Sequence, residues 1–309
     1  MSITAPKALA AVATVIIVAF TAKSLFGRTA GMLAGAIVAT TPIVIAVSRS
    51  NQPQTYFLLT LSLAGWQAVK ALQSSSRKHL IYSGAFIALA FHTYMLVAWA
   101  LWPALIVAWF FTEGTWGKKV VDLLIAGTTS LFLSLTWILV VMLWPTSNRP
   151  YIGGTYNNNP FEMVFGYNGL GRFSATQSGG LSSATDNPNY RSFTPPFGGS
   201  AGIGRFFSSA VAGQITWLLP TTFFALVILF LMRARKPIVV FFGVWTLTFF
   251  AMFSAVAGIH QFYTSSLALP MAIVVGGAVA LAVKETKHVY IFILLNVAGF
   301  SAIVFAAHY

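Results

Sequence analysis

The side chains able to exchange a proton, hold a metal or attack a carbon are few in this 309-residue chain: Glu113, Asp122, Glu162, Asp186, Glu285 and five histidines, with no cysteine. Without a thiol, neither a disulfide framework nor a thiolate site can form. The histidines, His79, His92, His260, His288 and His308, never recur at the H-x-x-x-H spacing that puts two imidazoles on one helix face, so no protein-built zinc site is expected. The densest gathering of hydrogen-bonding groups is residues 149–180, RPYIGGTYNNNPFEMVFGYNGLGRFSATQSGG. Asn and Tyr offer donors, acceptors and aromatic faces there, and glycine lets the backbone turn tightly and approach a ligand. GYNGLG is not a dinucleotide fingerprint, because its glycines fall in the wrong order and no strand precedes them. Ordering repeated Gly beside Tyr and Arg costs conformational entropy, so FGYNGLGR is expected to be a structured site. Residues 173–204, rich in Ser, Gly, Thr and Pro, are expected to form a solvated loop without a ligand role.

These groups must be positioned by an unusually apolar scaffold. Charged residues make up 7% of the chain and hydrophobic residues 57%, with a mean hydropathy of +0.79, against about 25% charged in an average soluble domain. An all-α integral membrane protein follows. The formal net charge of +13 does not point to nucleic acid, because Lys and Arg lie in twos and threes between apolar runs rather than clustered. Ten apolar stretches are expected to span, near residues 8–22, 30–47, 55–72, 80–93, 95–112, 120–144, 211–232, 237–256, 263–283 and 288–307. With ten spans, Lys23/Arg28, Arg77/Lys78, Lys118/Lys119, Arg233/Arg235/Lys236 and Lys284/Lys287 all fall on one face, the cytoplasmic one by the positive-inside rule. That leaves Glu162 and Asp186 outside, and Glu113, Asp122 and Glu285 inside. The chain divides into a six-span bundle (1–144), a long extracytoplasmic loop (145–210) and a four-span bundle (211–309). AGMLAG at 30–35 and GGAVA at 276–280 supply small residues for close helix packing. Asp122 and Lys70, close to span ends, are expected to snorkel. The opening segment MSITAPKALAAVATVIIVAFTAKSLFG lacks a signal-peptide pattern, and its helix is expected to run from outside to inside, as though a span preceded it.

Several stretches carry a resemblance to a known family. TAKSLFGRTAGMLAGAIVATTPIVIAVSRSNQPQTYFLL, RPYIGG…FGYNGLGR, AGQITWLLP at 212–220 and GIHQFYTSSLALP at 258–270 together resemble the GT-C glycosyltransferases, those related to protein O-mannosyltransferases and to the lipid A aminoarabinose transferase. The resemblance implies a polytopic GT-C helical bundle in a bacterial plasma membrane. It implies transfer of a sugar, mannose-like in this branch, from a polyprenyl-phosphate donor to an acceptor at the outer face. An outer loop lined with Asn, Tyr and Gly suits that work, since amides and hydroxyls bond sugar hydroxyls and aromatic faces stack on the ring. Arg149 and Arg172 are candidates to pair with a lipid phosphate. Arg49, Asn51, Tyr151, Asn157, Asn158, Tyr167, Asn168, His260 and Tyr263 complete the candidate donor- and acceptor-binding set. A divalent ion, Mg or Mn, shared with the donor phosphate is the one cofactor left open.

The chain also departs from the family pattern. The family's catalytic base, an acidic residue, lies in a first outer loop absent from this sequence, so a polypeptide supplying that helix and loop is an expected partner, and Glu162 is the candidate substitute base among the outer carboxylates. Gln54 stands where the family has Asp, Tyr94 where it commonly has Lys, and Ala257 where it often has Lys. A non-catalytic lipid-sugar binding or scaffold subunit is therefore the alternative. A transporter or flippase is a third reading, opposed by the near absence of charge within the spans.

Overall fold

A computed structural model describes residues 4–169, 172 and 199–306. Expectations for Asp186, His308 and most of 173–204 lie outside the described residues. Twelve helices follow in order: α1 Ala5–Phe26, α2 Arg28–Thr40, α3 Pro42–Ser48, α4 Gln54–Ser74, α5 Arg77–Tyr94, α6 Leu96–Trp99, α7 Trp102–Trp109, α8 Trp116–Leu143, α9 Leu218–Leu231, α10 Lys236–Ala255, α11 Ala268–Lys284 and α12 His288–Ala306. Short 3₁₀ and π turns lie between them, and no strand occurs among the described residues.

The apolar stretches read from sequence all fall on helix, but ten spans are not reached on length and apolarity. Six helical segments among the described residues are long and apolar enough to cross a membrane, or seven if the bent α2–α3 pair is one span. Three causes separate the two counts. Thr41 sits before Pro42, which disfavours helical backbone at the preceding residue; Thr41 is extended at φ −67°, ψ 120°, and the axis bends by 65°. The stretch 95–112 breaks into α6 and α7, because Met95 turns through φ 49°, ψ −127° and Pro103 opens a new helix. Helices α4 and α5 have the length, at 21 and 18 residues, but Gln54, Gln67, Lys70 and Gln73 on one and Arg77, Lys78 and His79 on the other dilute their apolar character.

Helix α11 is the axis of the bundle. It is 83% buried over its apolar window and packs against α1, α2, α9, α10 and α12, whereas the windows of α8 and α12 are 22% and 17% buried and face outward. Close approach at α11 depends on its small residues: a Cβ on Gly276 would sit 2.9 Å from the Ala30 carbonyl, and one on Gly277 would enter the Phe26 ring. Gly31 lies as tightly against α1, so both small-residue motifs serve helix packing. Gly27, at φ +90°, makes the tight turn from α1 into α2. Because α11 packs on α1 and α2, and α10 on α7, residues 1–144 and 211–309 share one core. Some hydroxyls inside the helices are silenced locally: Thr14 and Thr21 donate to the carbonyls of Ala10 and Ile17, each at 2.8 Å.

The two ends of the bundle differ in charge. At one end Asp122, 1% exposed, pairs with Arg77, and Lys119 donates to the Phe110 carbonyl at 3.0 Å. Asp122 is therefore buried in an ion pair rather than snorkelling. Lys70 instead lies over the Trp66 ring, 3.8 Å from its centroid. The other end carries the segment from residue 145 onward and is called here the loop end.

Candidate functional site at the loop end

Three pieces of irregular backbone meet at the loop end. The first is the break after α5, which leaves Tyr94 and Met95 at a helix terminus. The second runs from the end of α10 at Ala255 through extended Val256 and His260 into a 3₁₀ turn, Gln261–Leu267. The third is a π-helical turn, Glu162–Tyr167, from which Asn168 and Arg172 emerge. Wide π turns splay side chains out of the normal helical register and recur at functional positions.

Arg172 joins the three. Its guanidinium donates to the Gly258 carbonyl and to Asn168 Oδ1, both at 2.9 Å, and its own carbonyl accepts from the Ala257 amide at 2.7 Å. Its charge lies 5.2 Å from the Tyr167 ring centroid and 5.9 Å from that of Tyr263. No carboxylate pairs with it among the described residues. Asn168 is held in turn by an Nδ2 contact to Met95 Sδ at 3.2 Å.

Beside Arg172 opens a cavity of about 330 Å³, walled by residues 93–97, Asn168, Met252, Phe253, Val256 and Tyr263. Its walls are mainly apolar, and Arg172 is the only charged lining residue among the described residues. Tyr94 and Tyr263 meet edge to face at 5.2 Å, and Phe57 supports Tyr94 at 5.3 Å. An apolar pocket with one forked, unpaired cation at its mouth fits an amphiphile with an anionic head.

His260 stands one step behind the cavity. Its ring stacks on Phe262 at 4.8 Å and meets the Tyr263 ring edge at 5.8 Å. Burial pushes its pKa below the ordinary histidine value, and the positive charge of Arg172 pushes it further down. The neutral ring thus orients the aromatic cluster without adding charge. His92 faces away from the cavity: it is exposed and bonds the Leu133 carbonyl of α8 at 3.0 Å.

The other candidate residues lie elsewhere. Arg149 clips the chain to the end of α8, donating to the carbonyls of Met142, Trp144 and Asn158 at 2.9–3.0 Å. Asn158, left-handed at φ 53°, accepts from the Ile152 amide at 2.7 Å, and the Tyr151 hydroxyl donates to the Thr155 carbonyl at 3.0 Å. Glu162 caps this same turn. Its carboxylate accepts from the Tyr156 and Asn157 amides and from Asn157 Nδ2, at 2.8, 3.1 and 2.7 Å. Arg49 is exposed beyond α3, and Asn51 accepts a hydrogen bond from Lys7 Nζ. Of the sequence candidates, then, Tyr167, Asn168, Arg172, His260 and Tyr263 come together. Arg149, Tyr151, Asn157, Asn158 and Glu162 build the turn that leads to them.

Burial tends to raise the pKa of Glu162, but the Asn157 amide, the Asn157 side chain and the Tyr156 amide outweigh it and hold the group below the ordinary carboxylate value. A depressed folded-state pKa adds stability above the ordinary carboxylate range, and that stability is lost as pH falls through the folded value. Protection of the Tyr156 and Asn157 amides, measured against their intrinsic exchange rates, is therefore expected to fall as pH drops through the folded value, while Glu162→Gln, with only a neutral acceptor, shows weaker protection at neutral pH as well. Equal protection in both proteins at pH 7 would overturn the cap.

Two contributors are not among the candidate binding residues, Gln54 marking in the sequence only a departure from the family's Asp. Gln54, fully buried, donates to Ser265 Oγ at 2.8 Å and so ties α4 to the turn that carries Tyr263. Its Oε1 has no partner. Arg205, 2% exposed, donates to the carbonyls of Gly199, Ser200, Phe253, Val256 and Ala257, which fixes the cavity wall at Phe253 and Val256. Only the occurrence of one Arg among Gly and Phe in GIGRFF could have drawn attention to it.

No three His, Asp or Glu side chains come together among the described residues. The described cavity residues offer one amide, two phenols, the Thr93 hydroxyl and a cation, a set that does not fit a protein-built divalent centre.

Known proteins carry this arrangement further. The family model described as dolichyl-phosphate-mannose-protein mannosyltransferase matches residues 1–144. Two Bacillus subtilis (strain 168) proteins provisionally named as mannosyltransferases, YkcB and YycA, are 29% and 27% identical over 91% and 89% of this chain. The chain spans about half of each, 51%. Two crystal structures of ArnT from Cupriavidus metallidurans share the fold. The one bound to undecaprenyl phosphate aligns at a TM-score of 0.58 and 16% identity over 89% of this chain and 45% of that one. The apo form aligns at 0.59 and 17% over 88% and 44%.

Proposed function

We propose that this chain is a member of the GT-C membrane glycosyltransferase family, that its loop-end cavity receives a polyprenyl-phosphate sugar and that the protein takes part in moving that sugar to an acceptor; the similarities to the mannosyltransferase family model, the Bacillus relatives and the ArnT fold support this reading. The observation that carries the proposal is Arg172, a cation without a carboxylate partner among the described residues, set at an otherwise apolar cavity. In a transfer with inversion a base takes the acceptor hydroxyl proton, and the oxygen attacks the anomeric carbon. The carbon–oxygen bond to phosphate breaks on the opposite face, and polyprenyl phosphate leaves with the electron pair. Arg172 would balance that leaving charge by paired N–H donation, while Tyr94 and Tyr263 flank the sugar.

In this reading ten helical segments cross or enter the bilayer. The loop end lies outside, and the basic loops at the opposite end lie in the cytoplasm of a bacterial cell. The sugar is mannose-like, in keeping with the names of the Bacillus relatives. No step runs through a divalent ion.

A second reading, a binding or scaffold subunit without turnover, draws on Glu162 and Gln54. Glu162 is the one described carboxylate in the 145–210 segment, and three N–H groups already engage it, which weakens it as a base. Gln54 is bonded to Ser265 and carries no charge. Membranes containing the chain, supplied with radiolabelled polyprenyl-phosphate sugars, separate the two. Transfer by the chain alone, lost in Glu162→Gln, supports the enzyme with Glu162 as base. Transfer only when a polypeptide bearing an acidic outer loop is co-expressed supports a catalytic partnership. Donor binding without transfer in either arm supports the binding subunit, and no binding at all sinks the proposal.

A further inference from the structure

A second cavity lies at the loop end, away from Arg172, where two interrupted helices meet. One wall is the break between α2 and α3 at Thr40 and Pro42. Another is the π-helical turn Ala212–Thr216 leading into α9, and a third is the last part of α12 at Ala302 and Phe305. Its volume is about 650 Å³, larger than the Arg172 cavity. The AGQITWLLP motif supplies Gly213, Gln214 and Trp217 to it. The 3₁₀ turn that carries Tyr263 touches both the π turn and α3, so it stands between the two cavities.

The amide of Gln214 is out of balance with its surroundings. Its side chain is half-buried, and its Oε1 is buried without a partner among the described residues. A buried acceptor left unbonded is costly, and such groups persist where a ligand completes them. The Ser209 hydroxyl, exposed at the same cavity, is likewise unbonded among the described residues. None of the described lining residues carries a charge. That disfavours the phosphate chemistry of the Arg172 cavity and favours a neutral ligand with hydroxyl groups. Trp217 offers an aromatic face for a sugar ring, and Phe305, in ring contact with Phe207 at 5.9 Å, continues the wall as apolar surface.

We infer that this cavity binds the uncharged, hydroxyl-bearing headgroup of a membrane glycolipid, with Gln214 as its hydrogen-bonding anchor and the groove along α12 taking the first part of its acyl chain. The inference does not depend on transfer activity.

The test uses the full chain in nanodiscs and a diacylglycerol with one neutral glucosyl headgroup and a photoactivatable acyl chain, with labelled peptides mapped by mass spectrometry. Labelling is expected at residues 209–217 and 302–305. An unlabelled glucosyl diacylglycerol should compete it away, and an equal amount of phosphatidylglycerol should not. Gln214→Leu is expected to weaken labelling about fivefold, the effect of one net hydrogen bond, while thermal stability without the lipid holds or rises because the unbonded acceptor is gone. Ala302→Trp fills the groove without touching the amide and should also abolish labelling. Equal competition by phosphatidylglycerol, or unchanged labelling in both variants, would mean ordinary boundary lipid and overturn the site. Competition by free glucose alone would overturn the acyl-chain part, and with it the assignment to a lipid.

Discussion

Arg172→Leu is expected to weaken binding of undecaprenyl phosphate by roughly 30- to 150-fold. That is the loss of about 2–3 kcal/mol for hydrogen bonds to a charged group. The expectation follows from the charge balance at the cavity: Arg172 is its only charged lining residue among the described residues, the one there that can answer a phosphate with charge. Its donors to Gly258 and Asn168, with a further side-chain hydrogen bond to the Tyr263 hydroxyl, hold the guanidinium plane in place and leave the rest of its N–H groups for a ligand. Arg172→Lys should recover only part of the affinity, because an ammonium keeps the charge but cannot bridge Gly258, Asn168 and a phosphate in one plane. The control is undecaprenol, the same chain without phosphate. Wild-type protein should prefer the phosphate strongly, and Arg172→Leu should bind the two alike. If Arg172→Leu keeps that preference, Arg172 is a loop clamp and the phosphate site lies elsewhere.

His260 gives this site a pH dependence that a lone arginine would lack. Its pKa is lowered by burial and by Arg172, so the neutral ring is favoured in the folded protein. An unfolded chain binds the extra proton more readily, so acidification through the ordinary histidine range costs stability. The same protonation would put a second positive charge beside Arg172, which favours phosphate while straining the His260–Phe262 stack.

The helical segments could be read from sequence because each is a run of apolar residues bounded by charge or by Pro and Gly. Apolarity alone could not say which of them are straight. The α2–α3 bend follows from Thr41–Pro42, whose local rule is visible in sequence; the break at Met95 falls where FHTYM interrupts the apolar run between 80–93 and 95–112, but its form, a methionine at φ 49°, is a tertiary result. The site was legible in part for a similar reason. FGYNGLGR and GIHQFYTSS stand out as polar, aromatic interruptions, and their Arg172, Asn168, His260 and Tyr263 do converge. RPYIGGTYNNN looks no different in composition, yet Arg149, Asn157, Asn158 and Glu162 spend their hydrogen bonds on one another's backbone. Composition shows that a segment is polar. It cannot show whether its donors face a ligand or the segment itself.

Arg205→Leu is expected to destabilise the folded protein by at least about 3 kcal/mol, because it strips the carbonyls of Gly199, Ser200, Phe253, Val256 and Ala257 of a donor at once. Leucine fills some of the volume but offers nothing to these acceptors, and the Arg205 site is too buried for water to replace it freely. A guanidinium bonded only to neutral carbonyls persists here because its five N–H groups match a curled backbone, which no amide or hydroxyl side chain could span. Arg205→Lys, with three donors, should recover part of the loss. The consequence reaches the cavity: Phe253 and Val256 line it, and Ala257 and Gly258 hold Arg172. Thermal unfolding in nanodiscs should therefore show a lower midpoint for Arg205→Leu, and binding measured well below that midpoint should show weaker affinity for undecaprenyl phosphate and undecaprenol alike. A loss confined to the phosphate form would instead place Arg205 in direct contact with the ligand. An unchanged midpoint would mean that the strap from Phe253 to Gly258 holds its shape without it.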